Sequence, residues 1–276
     1  MLPSSIRRLS YNPVARTIAQ HLHVGGLARR IYCRLLSSSG VLRFSCLGVE
    51  AVFSSQNRDQ IGFTDCVITT EKDVIEETLS NLRAGDTFLD VGCNFGAYSV
   101  VASKIVGPRG RVIAVDPHPT TVDVLRENLK LNGCENVDVL NVAFTDRTGL
   151  LSLSYGETNA HLHRADDLAS PVQVVQARAG DEALGGLPAA AVVKVDVEGH
   201  EFAVLGGLKK TLSSSACRVL CVEIHPQFLP TGVDENRIIK FIRDCGFSSV
   251  KEHARASMGN QSLRSVKFEF LVIARR

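Results

Sequence analysis

Thr87 to Ala102, TFLDVGCNFGAYSVVA, reads as a buried strand, a glycine turn and the start of a helix. Phe88, Leu89 and Val91 form a short apolar run with Asp90 near its end. Gly92 and Gly96 stand four apart, and Tyr98 to Ala102 resume a helical apolar pattern. Glycine lets backbone approach a ligand with no Cβ in the way, so a nucleotide-sized ligand is expected here. The next strand, RVIAVD (Arg111 to Asp116), ends in a carboxylate twenty residues after Gly96, which suits a ribose diol.

Nicotinamide dinucleotides and S-adenosylmethionine both place an adenosine beside the carboxyl ends of parallel strands. A dinucleotide site wants G-x-G-x-x-G, with the pyrophosphate on a helix N-terminus, whereas this turn reads Gly92-Cys93-Asn94-Phe95-Gly96 with no third glycine. Asp90 before the turn repels a pyrophosphate and attracts a sulfonium or ammonium. S-adenosylmethionine is therefore the expected cofactor.

The 276 residues, 45% of them hydrophobic, suffice for one α/β domain plus an extension. The net charge of +2 hides an asymmetry: residues 1–49 hold seven arginines and no Asp, Glu or Lys, leaving 24 basic against 29 acidic residues in the rest. Residues 1–48 are expected to be a basic helical extension of short amphipathic helices, and 49–276 the catalytic domain. Such a segment suits a lid, an organelle presequence, a phosphate contact or peripheral contact with anionic lipid. No nucleic acid partner is expected. With no run of about 18 apolar residues and no apolar signal-peptide core, the protein is expected in the cytoplasm. Its eight cysteines include no C-x-x-C pair and read as reduced core residues.

The rest of the chain alternates strands and helices. Val41 to Phe53 and Ile61 to Ile68 have short strand-like patterns, and Thr70 with Asp73 resembles a capping box before the helix KDVIEETLSNL. Thr120 to Leu131 is a helix stopped by Asn132-Gly133, VDVLNVAF (Val137 to Phe144) a strand, and LLSLSY (Leu150 to Tyr155) opens a hairpin excursion. AAVVKVDV (Ala190 to Val197) has the apolar content of a central strand, and EFAVLGGLKKTL reads as one helix. RVLCVEI (Arg218 to Ile224), a helix from Glu235 to Cys245 and two closing strands complete a doubly wound sheet with an antiparallel C-terminal edge.

Three blocks carry a resemblance to the FkbM family of S-adenosylmethionine-dependent methyltransferases: FLDVGCNFGAYS (Phe88 to Ser99), VIAVDPHP (Val112 to Pro119) and, most specific, KVDVEGHEFAVLGG (Lys194 to Gly207), with VEIHP (Val222 to Pro226) behind them. The resemblance implies a Rossmann-like class I methyltransferase fold. It also implies O-methylation of a hydroxyl on a sugar, glycan or secondary metabolite.

Asp90 is then expected to hold the amino end of the donor, Gly92, Asn94 and Gly96 to shape the loop, and Asp116 to take the ribose hydroxyls. Asp196 and Glu198, two apart at a strand end, face the crevice where ligands sit in open α/β sheets. Lys194 shares their parity, which leaves Asp196 as either base or ion-pair partner. His225 is the leading general base, since an ordinary imidazole pKa near about 6.5 suits proton abstraction. Asn159, in the loop GETNA, is expected to contact substrate. Asp196, Glu198 and His225 could alternatively bind a divalent cation, but no dense ligand motif supports one, and no metal is expected. Two other readings stand beside catalysis: a non-catalytic S-adenosylmethionine-binding or docking protein, and a nicotinamide oxidoreductase disfavoured by the glycine spacing.

Overall fold

This computed structural model describes residues 40–55, 58–155, 160–163, 172–254 and 270–276. It opens on an antiparallel hairpin, β1 (Val41–Cys46) and β2 (Val49–Ser54), in which Leu42, Phe44, Cys46, Ala51 and Phe53 are buried in strict alternation. The hairpin straddles the boundary expected after residue 48; residues 1–39, which carry most of the basic extension, lie outside the described residues.

Helix α1 (Arg58–Thr70) occupies the stretch expected as a second strand. Its buried positions Ile61, Thr64, Asp65, Val67 and Ile68 follow helical spacing, and because Thr64 and Asp65 are polar, the apolar residues alone do not show the period. Thr70 does not cap the next helix. Its Oγ1 donates to the Cys66 carbonyl at 2.8 Å, and α2 (Lys72–Leu79) starts after Glu71 with no side-chain cap.

The main sheet is then laid down by β3 (Thr87–Val91), α3 (Ala97–Val106), β4 (Arg111–Val115), α4 (Pro119–Leu131) and β5 (Val137–Leu140). The single strand expected over Val137 to Phe144 breaks here. Asn141 donates its side-chain N–H to the Asp116 carbonyl at 2.9 Å, and the chain leaves for a second sheet at β6 (Ala143–Thr145). That sheet is the expected excursion, completed by β7 (Gly149–Tyr155), β8 (Ala160–His163) and β9 (Val172–Ala179) in the order β6-β9-β7-β8.

After α5 (Gly180–Ala183), β10 (Val192–Val195) returns to the main sheet. The helix expected from Glu201 divides into α6 (Glu201–Gly207) and α7 (Lys209–Ser213). Gly207 packs against β6 so closely that a Cβ there would lie 1.8 Å from the Thr145 carbonyl oxygen. Then follow β11 (Val219–Ile224), a 3₁₀ turn (Pro226–Phe228), α8 (Glu235–Asp244), β12 (Ser249–Ala254) and β13 (Phe270–Arg275).

The seven strands run in the order β12-β13-β11-β10-β3-β4-β5. β13 is inserted between β11 and β12 and is antiparallel to both, while β11, β10, β3, β4 and β5 are parallel. This is the doubly wound α/β sheet with an antiparallel edge. Apolar side chains alternate between two layers: Phe88, Val192 and Cys221 pack under the hairpin, α2 and α3, and Leu89, Val193 and Leu220 pack on the other side against α6, α7 and α8. Charges interrupt this pattern on three neighbouring central strands, as Asp90, Lys194 and Glu223. Register sets Lys194 directly beside Asp90.

Among the described residues no helix is long and apolar enough to cross a membrane. The described cysteines, most of them buried, are free thiols, in line with the sequence reading; burial pushes Cys221 up to about 12.

Candidate functional site

The glycine turn leaves β3 in left-handed backbone, with φ of 76° at Gly92, 48° at Asn94 and 91° at Gly96. Glycine and asparagine are the residues that enter this region at least cost. Gly92 and Cys93 donate their N–H groups to the Val115 carbonyl, at 2.9 and 3.1 Å, which ties the turn to β4. Gly96 caps α3 with no side-chain hydrogen bond, so the helix N-terminus opens into the turn. Asp116, just beyond β4, accepts from the Asn94 N–H at 3.0 Å and the His118 N–H at 2.9 Å. Each of its oxygens keeps a further lone pair for a hydroxyl. A turn bounded by two glycines, an uncapped helix start and a carboxylate pinned against them fit an adenosine with its ribose.

Burial raises the Asp116 pKa to about 6, although the bonds from His118 and Asn94 oppose it. A ribose hydroxyl donates only to the ionised form with full strength. Affinity for S-adenosylhomocysteine is therefore expected to fall as pH drops through about 6, by roughly tenfold at a pH one unit lower, and to fall at every pH in Asp116→Ala. Calorimetry across pH 5 to 8 checks this, and a flat profile in the wild-type protein would remove Asp116 from the ribose.

Asp90, expected to hold the amino end of the donor, is fully buried, accepts from Ser99 Oγ at 2.6 Å and faces Lys194 Nζ at 3.5 Å. Burial raises its pKa, with the Lys194 charge and the Ser99 bond opposing.

Lys194 joins the two halves of the site. Its Nζ donates to the Gly92 carbonyl at 2.8 Å, lies 3.4 Å from Asp196 Oδ2 and stands 5.1 Å from the centre of the Tyr98 ring. Burial works against the ammonium, but Asp196 and Asp90 outweigh it and hold its pKa above the ordinary lysine value. Backbone also connects the halves: the Asp196 N–H donates to the Val91 carbonyl at 3.1 Å, and a Cβ on Gly92 would stand 1.8 Å from the Asp196 carbonyl oxygen.

Past β10 the chain turns sharply through Glu198, a non-glycine residue at φ 51°, and Gly199 at φ 98°. This brings Asp196 and Glu198 to His225, which follows β11. The histidine is 2% exposed, while the Asp196 and Glu198 side chains are 30% and 20% exposed. His225 Nδ1 is 2.7 Å from Glu201 Oε1, which also accepts the Gly199 N–H at 2.9 Å. Nε2 faces Glu198 Oε2 at 3.5 Å, Glu223 Oε1 at 3.9 Å and Asp196 Oδ1 at 4.0 Å. Burial works against an imidazolium, but the Glu201 hydrogen bond and the charges of Asp196 and Glu198 prevail and raise the pKa to about 10. The ordinary value that made His225 the leading base does not hold in this cluster, where the surrounding carboxylates favour the protonated ring.

The predicted residues Asp196, Glu198, His225, Gly92, Asn94, Gly96 and Asp116 thus lie on one end of the sheet. Glu201, at the start of α6, is the buried partner that orients His225. Its signal was its position three residues after Glu198, but only the folded chain sets it against a histidine 24 residues later. His200 Nε2 is bonded to Thr145 Oγ1 at 3.0 Å and belongs to the contact between α6 and β6. His161 and His163 fall in β8, and Asn159 lies outside the described residues.

A family model described as a methyltransferase FkbM domain matches residues 90–249. The chain is 31% identical over 182 residues to the hexuronic acid methyltransferase AglP of Haloferax volcanii, covering 65% of this chain and 70% of that protein. It is 32% identical over 80 residues to protein-L-isoaspartate O-methyltransferase 1 of Archaeoglobus fulgidus, covering 29% of this chain and 37% of that one. Among solved structures, a precorrin-6y C5,15-methyltransferase from Geobacter metallireducens superposes with a TM-score of 0.44 at 18% identity, over 74% of this chain and 89% of that chain.

Proposed function

Because the chain belongs to the FkbM family of methyltransferases and is S-adenosylmethionine-dependent, we propose that it methylates a hydroxyl group of a sugar, with a hexuronic acid or a glycan bearing one as the first acceptor class to test. The observation that carries this reading is the contact between the glycine turn and Asp196. It sets two partly exposed carboxylates at the edge of the donor cradle. The Haloferax volcanii relative, a hexuronic acid methyltransferase, suggests the acceptor class.

Gly92, Asn94, Gly96 and Asp116 would hold the donor, which when bound supplies an electrophilic methyl on a sulfonium. The chain's own residues must align the acceptor oxygen and take its proton. Glu198 and Asp196 are the groups an acceptor can reach, and Asp196 already shares one oxygen with Lys194. Glu198 is therefore assigned the proton. His225, buried behind both, is a positioning residue that fixes the two carboxylates and offsets their repulsion.

The test is to incubate the full chain with S-adenosylmethionine and free or nucleotide-linked hexuronic acids and neutral hexoses, and to locate the added methyl by mass spectrometry and nuclear magnetic resonance. An alkali-stable methyl ether supports the reading. A labile ester would move the reaction to the acceptor's carboxylate. Donor binding with no acceptor methylated would favour the non-catalytic alternative.

A further inference from the structure

We propose that Asp196, Glu198 and His225 bind a divalent cation of the magnesium or manganese class, which holds the acceptor hydroxyl for transfer. The ion's catalytic role rests on the O-methylation reading above; its binding does not. One ligand atom from each of the three side chains lies within 4.8 Å of the others. Atoms arranged around one ion at distances of about 2.0 to 2.6 Å span such a range.

Asp196 and His225 directly follow the adjacent parallel strands β10 and β11, and Glu198 lies in the tight turn after β10. His225 is prepared for the task by Glu201: with Nδ1–H donated to that buried carboxylate at 2.7 Å, Nε2 points at Asp196 and Glu198, and a cation binding there displaces the Nε2 proton. A carboxylate behind a histidine is the usual support of a metal-bound imidazole. None of the carboxylates has closed on Nε2. Their separations of 3.5, 3.9 and 4.0 Å exceed the roughly 2.7 to 2.9 Å of a charge-assisted hydrogen bond and leave room between the groups for an ion.

Lys194 does not compete for the site. It lies against Asp196 Oδ2, while Oδ1 is the oxygen turned toward His225. Charge argues in the same direction, since among the described residues Asp90, Asp196, Glu198, Glu201 and Glu223 stand here against Lys194 and His225. A hexuronate would bring a further negative charge into this pocket, and a cation shared with the acceptor removes the repulsion. Asp196 and Glu198 keep the site open on one side, where the acceptor enters.

Coordination lowers the pKa of the acceptor hydroxyl. Its O–H bond breaks with the proton passing to the Glu198 oxygen that does not coordinate, and its oxygen forms the new O–C bond as the S–C bond of the donor breaks, leaving a neutral thioether.

The test is a titration of chelator-stripped full-length protein with Mn²⁺, followed by calorimetry and electron paramagnetic resonance, with S-adenosylhomocysteine binding measured alongside as the control for folding. One saturable Mn²⁺ is expected, lost in Asp196→Asn and Glu198→Gln while S-adenosylhomocysteine still binds. Glu201→Gln should weaken Mn²⁺ by about 10- to 100-fold through the orientation of His225. Absence of saturable Mn²⁺ or Mg²⁺ binding in protein that binds S-adenosylhomocysteine overturns the site, as does Mn²⁺ binding unchanged in both carboxylate variants. Methyl transfer undiminished by EDTA overturns the ion's role and leaves O-methylation standing. Mn²⁺ bound at these residues with no hydroxyl methylated upholds the site and removes the functional reading instead.

Discussion

Lys194→Met is expected to lower the stability of the protein by about 3 to 5 kcal/mol, the range for breaking a buried ion pair from one side. The substitution leaves Asp90 fully buried with the Ser99 hydroxyl still donating to it, and it removes the donor to the Gly92 carbonyl. Methionine is close to the lysine stem in volume, so a cavity contributes little. The pH dependence has a definite sign. Asp90 already has a raised pKa in the folded protein, and loss of the lysine removes the largest opposing influence. A raised acid favours folding below its unfolded value of about 3.9 and loses that contribution as pH rises. The deficit of the variant should therefore narrow as pH falls toward about 4, and Asp90→Asn in the Lys194→Met background should recover part of it. Urea titrations at several pH values measure both effects. A loss below about 1 kcal/mol at neutral pH would mean that the lysine is no more than a surface-grade partner.

The second large effect is on turnover. Glu198→Gln keeps the shape of the side chain and removes its capacity to take a proton, so kcat is expected to fall by about 10² to 10⁴ with S-adenosylhomocysteine affinity unchanged. The pH profile of the wild-type enzyme separates the two candidate bases. A carboxylate acceptor gives a kcat/KM that levels off by neutral pH. A histidine acceptor with its pKa raised to about 10 gives a rate that climbs about tenfold per unit up to that pH. A climbing profile, or a Glu198→Gln enzyme of normal turnover, would return the proton to His225.

The parts of this fold that were legible in the sequence are those in which local pattern and tertiary demand coincide. Strands β3, β10 and β11 are buried on both faces and announce themselves as apolar runs. The glycine turn is legible because its left-handed backbone demands Gly92 and Gly96. Misreadings arose where tertiary packing recruits polar residues. The inner face of α1 includes Thr64 and Asp65, and the strand after α4 is cut by one asparagine whose partner, the Asp116 carbonyl, is 25 residues away. The same holds inside the site. Membership of the acceptor cluster was readable from parity at two strand ends, but the charge states were not. They depend on Glu201 beneath His225 and on Lys194 between Asp90 and Asp196, and both arrangements exist only after β3, β10 and β11 have paired.

One ammonium bridges the Gly92 carbonyl and Asp196. In the proposed site this ties the donor side to the acceptor side: a turn shifted by donor entry would move the ammonium and, through it, Asp196. By reciprocity, an acceptor that tightened on Asp196 would then change the affinity of the turn for the donor by the same factor.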